Sequence, residues 1–170
     1  EHLFLSVGRI SKEKDYPTLI AAFAKANQTK ASRLIIAGDG PEMGMLKKQI
    51  AELDLSDRVA LLGHIPNPKP LYTYADIFVL SSKREGLPTV LVEALALGCK
   101  VISTDARSGP REILKGGAYG KLVPIMDVDA LATAMIESIH SKESKTVPHE
   151  ALLQYDVNLA VDRYVKVLDI

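Results

Sequence analysis

The chain has 170 residues, 47% hydrophobic, 25% charged and 5% aromatic, the length and composition of one ordinary globular domain. Its 21 basic residues balance 21 acidic ones, which argues against a general nucleic-acid or membrane-surface binder, whose footprint would be basic. The lone Cys99 excludes an internal disulfide framework and a cysteine-based zinc site, and no apolar run reaches the roughly 18 residues needed to span a bilayer.

Short apolar runs alternate with helical patterns along the chain. Leu3–Val7 reads as a strand, and Tyr16–Gln28 as a helix with Leu19, Ile20, Ala22, Phe23 and Ala26 on its apolar face. Arg33–Ala37 is almost wholly apolar and stops at Gly38, as a strand buried on both faces does. A helix over Glu42–Leu53, a strand over Val59–Leu62, a short helix over Pro70–Ala75 and a strand over Ile77–Leu80 follow. Pro88–Leu97 is a helix stopped by Gly98, Lys100–Ser103 a strand, Tyr119–Val123 a last short strand and Val128–His140 a helix. Residues 141–145 are polar and poor in helix signal, Pro148 follows, and Leu159–Leu168 has the spacing of an amphipathic tail helix. Alternation of this kind predicts an α/β domain, a Rossmann-like doubly wound parallel sheet with helices on both faces. Ligands of such sheets sit beyond the carboxyl ends of the strands, so the loops that follow strands carry the functional signal.

Three loops stand out. In Val7-Gly8-Arg9-Ile10-Ser11-Lys12-Glu13-Lys14, Gly8 permits close approach of a ligand, while Arg9 and Lys14 offer a planar fork and a point charge to a phosphate; a solvated charged loop reads the same way. Gly38-Asp39-Gly40-Pro41 departs from a dinucleotide fingerprint, because Met43 stands where the third glycine belongs. It is read as a tight strand-to-helix turn. In Ser81–Leu95 a glycine-bearing loop leads into a helix at Pro88, whose first-turn N–H groups and positive end suit an anion. Glu93 lies inside that helix among Val90, Leu91, Val92, Ala94 and Leu95. A carboxylate there needs hydrogen-bond donors, either vicinal sugar hydroxyls or the cation of a structural ion pair.

At these residues the sequence resembles the C-terminal, nucleotide-sugar-binding half of the retaining glycosyltransferases of family four, which have the two-domain GT-B fold. The resemblance covers nearly all of residues 3–140. It rests on Gly8-Arg9 with Lys14, on Glu85-Gly86-Leu87-Pro88 with Glu93 seven intervening residues later, and on Glu93–Asp105 and Ser108-Gly109-Pro110-Arg111-Glu112-Ile113, in order. It implies that Arg9 and Lys14 bind the donor diphosphate and that Glu85 meets hydroxyls of the transferred sugar. Gly8 lets the phosphates approach, while Gly86, Leu87, Pro88 and Thr89 line the sugar and phosphate region. Glu93 takes the ribose, and Gly63, His64 and Ile65 face the nucleobase. Lys14-Asp15 stands where many relatives have Lys-Gly or Lys-Asn, and Lys100 where many have Pro.

The resemblance further implies a nucleoside-diphosphate sugar as substrate, UDP-sugar favoured, with no cofactor and no metal. By the same resemblance the acceptor is a saccharide or a lipid-linked acceptor of surface polysaccharide synthesis. The negative charge on the leaving diphosphate is then met by Arg9, Lys14 and the helix that starts at Pro88. Residues 1–140 form the donor domain and 141–170 a linker and tail helix. Glu1 in place of Met and the immediate opening strand fit a fragment that lacks its N-terminal acceptor domain, cytoplasmic and peripheral to the inner membrane through that domain, and inactive alone. The alternatives are a nucleotide-sugar epimerase of related architecture and a non-catalytic nucleotide-binding module. His64 reads as a loop residue near the base or solvent, Cys99 as core, and Tyr72, Tyr74 and Phe78 as packing.

Overall fold

The computed structural model describes residues 1–27, 32–141 and 147–155. Six parallel strands form one sheet: β1 (His2–Val7), β2 (Ser32–Ala37), β3 (Val59–Gly63), β4 (Ile77–Leu80), β5 (Lys100–Thr104) and β6 (Lys121–Val123). Their order is β3-β2-β1-β4-β5-β6. The helices are α1 (Tyr16–Asn27), α2 (Met43–Glu52), α3 (Lys69–Tyr74), α4 (Thr89–Ala96), α5 (Pro110–Ile113), α6 (Val128–His140) and α7 (His149–Leu153). Among the described residues no helix is long and apolar enough to cross a membrane.

Alternation along the strands splits the core into two layers. Phe4, Leu34, Ile36, Ile77 and Val79 pack on one face with α1, α2 and α6, through Leu19, Phe23, Leu46, Ile50, Leu131 and Met135. Leu5, Val7, Phe78, Leu80 and Val101 face the opposite way, onto Tyr72 of α3, Leu91 and Leu95 of α4, and Ile113 of α5. Both faces of the central strands are therefore dry, which is why they are continuous apolar runs.

Each expected strand and helix within the described residues is present, with no end shifted by more than two residues. Tyr119 lies outside β6: its N–H donates to the Leu114 carbonyl in the turn before the strand. Helix α5 and a 3-10 turn over Lys115–Gly117 were not foreseen, being too short to show a helical period. Nor was α7, which begins directly after Pro148. The expected tail helix over 159–168 lies outside the described residues. Tyr74 corrects the expectation of packing, for it is 78% exposed. Tyr72 takes the inward face of α3, and two residues on a helix turns about 200°. Lys100 has a structural role, since its Nζ donates to the Ser138 and Ser141 carbonyls at the end of α6, where a cation meets the negative helix end.

The loops that follow β1, β2 and β3 interlock through main chain. Gly8 N–H donates to Ala37 O at 3.0 Å and Gly38 N–H to Gly63 O at 2.8 Å. A Cβ at Gly38 would stand 1.8 Å from the Gly8 carbonyl oxygen, and one at Gly40 2.1 Å from that of Ile10. Gly38→Ala must therefore push the two loops apart. It is expected to cost about 1–3 kcal/mol, read as a lowered urea midpoint.

Candidate functional site

The chain reverses its direction of travel across the sheet at β1, which pairs β2 on one side and β4 on the other. The loops after β1 and β4 thus meet at the carboxyl edge, and three hydrogen bonds stitch them together. Lys83 N–H donates to Glu13 O at 2.7 Å, Ser81 Oγ to Lys14 O at 2.7 Å, and Lys14 Nζ to Glu85 Oε1 at 2.6 Å. Asp15, which closes the β1 loop, has φ +50°, a left-handed backbone suited to glycine or asparagine. Aspartate holds it by accepting from Thr18 Oγ1 at 2.8 Å and facing Lys83 Nζ at 3.5 Å.

The residues expected at the site fall into three groups. Lys14 and Glu85 form one ion pair, with Ser82 Oγ donating to the same Glu85 oxygen at 2.6 Å. Arg9 is exposed and makes no ion pair among the described residues. It lines a cleft of about 690 Å³ with Val7, Gly8, Ala37, Gly38, Asp39, Gly40, His64 and Ile65. Gly63 closes β3 behind this cleft, its carbonyl engaged by Gly38. Glu93 sits on α4, where its Oε2 accepts from Tyr72 Oη at 3.0 Å.

That last bond bears on the ion-pair role open for Glu93. Among the described residues no cation lies within ion-pair distance, so Glu93 is not half of a structural salt bridge. Its protein partner is a phenol. Burial first, and then the Glu93 charge, push the Tyr72 hydroxyl far above the usual tyrosine range, so Tyr72 remains a donor. In front of α4, Gly86, Leu87 and Thr89 are exposed and Pro88 is buried. Gly109 braces this loop from behind: at φ +83° its missing Cβ would stand 2.4 Å from Gly86 O and 2.6 Å from Pro88 Cδ. On the other loop, Tyr16 Oη donates to Gly8 O at 3.1 Å, and burial pushes its hydroxyl up to about 12.

Sequence reasoning missed Asp39 and Gly40 as cleft lining, Tyr72 as the partner of Glu93, and Ser82 as that of Glu85. The Gly38–Pro41 turn was recognised, but its position at the end of a doubly buried parallel strand also marked it as a wall of the site. Nothing local in the sequence joins Tyr72 to Glu93.

Arranged in this way, the carboxyl edge offers two cations, two carboxylates and a main-chain-lined cleft side by side. The chain belongs to the glycosyl transferases group 1 family, whose pattern matches residues 1–151. It is 31% identical over 169 residues to the lipopolysaccharide core biosynthesis glycosyltransferase LpsE of Rhizobium meliloti, covering 96% of this chain and 48% of that one. It is 37% identical over 125 residues to a Campylobacter jejuni N-acetylgalactosaminyltransferase whose name specifies a diphospho-undecaprenol-linked acceptor, covering 74% and 34%. Its fold, the C-terminal half of GT-B, superposes on Anabaena HepE solved in complex with UDP-glucose. There the TM-score is 0.88 and the identity 25%, covering 99% of this chain and 49% of that one. The chain thus spans less than half the length of these relatives.

Tyr72→Phe removes the protein donor to Glu93 and is expected to cost about 1–3 kcal/mol in urea unfolding. The raised tyrosine and thiol values also set a pH limit. Burial lifts Cys99 from 9.0 to about 11 and Tyr16 from 10.0 to about 12. Both groups hold their protons more tightly folded than unfolded. Their contribution is complete below pH 9 and drains away as pH rises from 9 to 12. Urea midpoints should fall across that window, and Tyr16→Phe should flatten the part of the fall above pH 10.

Proposed function

We propose that this chain is the donor-binding half of a retaining glycosyltransferase. It holds a nucleoside-diphosphate sugar across the crevice between β1 and β4, and the sugar passes to a saccharide or lipid-linked acceptor in surface polysaccharide synthesis. The observation that carries this reading is the convergence of Arg9, Lys14, Glu85 and the start of α4 where the sheet reverses, beside a cleft edged by His64 and Ile65. In this reading the base lies against Gly63, His64 and Ile65, and the ribose hydroxyls donate to the Glu93 oxygen that Tyr72 leaves open. The diphosphate meets Gly8, Arg9, Lys14 and the Gly86–Thr89 turn, and the sugar reaches Glu85. UDP is the favoured nucleotide, supported by the likeness to HepE with its UDP-glucose.

The chemistry follows from charge. The bond between the anomeric carbon and the diphosphate oxygen breaks with its electron pair leaving on the phosphate. The negative charge grows beside Arg9, Lys14 and the positive end of α4, which stabilise it. The protein's own cations fill the role that a resident metal would otherwise take. Residues 1–140 carry the donor site. The acceptor site belongs to an N-terminal domain, through which the whole protein works at the cytoplasmic face of the inner membrane.

Titration calorimetry with UDP, ADP and GDP tests the reading. Arg9→Ala and Lys14→Ala should each weaken UDP binding by about 1.5–3 kcal/mol, the worth of a charge-assisted bond, and Glu93→Gln should weaken UDP and uridine alike. A chain that binds none of the three nucleotides would overturn it, as would sugar transfer catalysed by this chain alone.

A further inference from the structure

Glu85 is the deeper member of its ion pair, with a side chain 8% exposed against 23% for Lys14. One oxygen, Oε1, accepts from both Lys14 Nζ and Ser82 Oγ, each at 2.6 Å. Ser82 is wholly buried, and its carbonyl accepts from Thr104 Oγ1 at 2.6 Å, which anchors it to the end of β5. A carboxylate this deep is tolerated because a cation and a hydroxyl meet it, and removing the cation alone is costly.

We propose that the Lys14–Glu85–Ser82 cluster makes the site prefer an intact nucleotide sugar over the spent nucleoside diphosphate. The proposal rests on the reading above, in which Lys14 meets the diphosphate. A diphosphate that recruits Lys14 draws the ammonium from Glu85 and leaves the carboxylate with Ser82 alone. A nucleotide sugar brings hydroxyl donors that restore what Glu85 has lost. The bare diphosphate brings none, so the penalty for a stranded carboxylate falls on the product and speeds its departure. The selectivity comes from a cost imposed on the wrong ligand as much as from contacts to the right one. Ser82 is a positioning residue here: it holds Glu85 Oε1 and touches no ligand.

Calorimetry with UDP on this chain, at fixed pH and salt, reads the device directly, with thermal melts to verify folding. Glu85→Gln replaces the carboxylate with a neutral amide that does not need Lys14, and should tighten UDP by about fivefold or more. Ser82→Ala removes the partner that remains when Lys14 leaves, and should weaken UDP by about threefold. Damage to packing would weaken both, so opposite signs are the signature. Both effects should vanish in a Lys14→Met background, because the competition is then gone. If Lys14→Met weakens UDP but Glu85→Gln fails to tighten it, the product penalty is wrong and the donor-site reading stands. If UDP binding is indifferent to Lys14→Met, the donor-site reading falls and this proposal with it.

Discussion

Strand β1 is bonded to β2 along its whole length and to β4 through Phe4 and Leu5. Nearly every other feature depends on this. Because the neighbours belong to chain segments that wind away in opposite directions, the loops leaving β1 and β4 are left side by side with no crossover helix between them. Lys14 and Glu85 are 71 residues apart in sequence and 2.6 Å apart in space for that reason. The buried faces of β1 hold the arrangement in place. Phe4 is locked among the side chains of α1 and Leu5 among those facing α4, so a shift of the strand would disturb both layers at once.

Charge at this edge is managed locally, although the chain as a whole is neutral. Among the described residues two ion pairs have a buried acidic member, Lys14–Glu85 and Lys83–Asp15, and both bridge the β1 and β4 loops. Pairs such as Lys25–Asp129 and Lys48–Glu52 lie at the surface, where water and salt leave little net stabilisation. The bridging pairs differ because each acid also accepts a hydroxyl hydrogen bond, from Ser82 or Thr18. They register one loop against the other. Arg9, in contrast, stands in the cleft and makes no ion pair among the described residues.

The sheet was legible in the sequence because its central strands are dry on both faces, and that leaves unbroken apolar runs such as Leu34-Ile35-Ile36-Ala37. Strand order was not legible. Periodicity says what faces a strand buries but not which strand lies beside it; the order β3-β2-β1-β4-β5-β6 came only with the structure. The candidate residues at Gly8–Lys14 and Glu85–Glu93 were found through spacing and type. Their partners were not, since Tyr72 reaches Glu93 from a different helix and its hydroxyl is invisible to an apolar pattern. Tyr74 failed in the other direction, because α3 is too short for a reliable phase. Asp15 is instructive too: the residue that departs from Lys-Gly or Lys-Asn sits at a positive φ, a conformation that glycine and asparagine adopt most readily.

The interlocked glycines give the cleft two unlike sides. One holds Gly38 and Gly40, packed too closely against neighbouring main chain to accept any side chain. The other carries the side chains of His64 and Ile65 beyond the end of β3. A substitution at 64 or 65 changes the surface of that side, whereas Gly38 and Gly40 admit no side chain to vary. The site therefore has a fixed jaw and an adjustable one. In the proposed reading the adjustable jaw meets the base and the fixed one the phosphates, so the choice of base can be retuned while the phosphate frame stays unchanged.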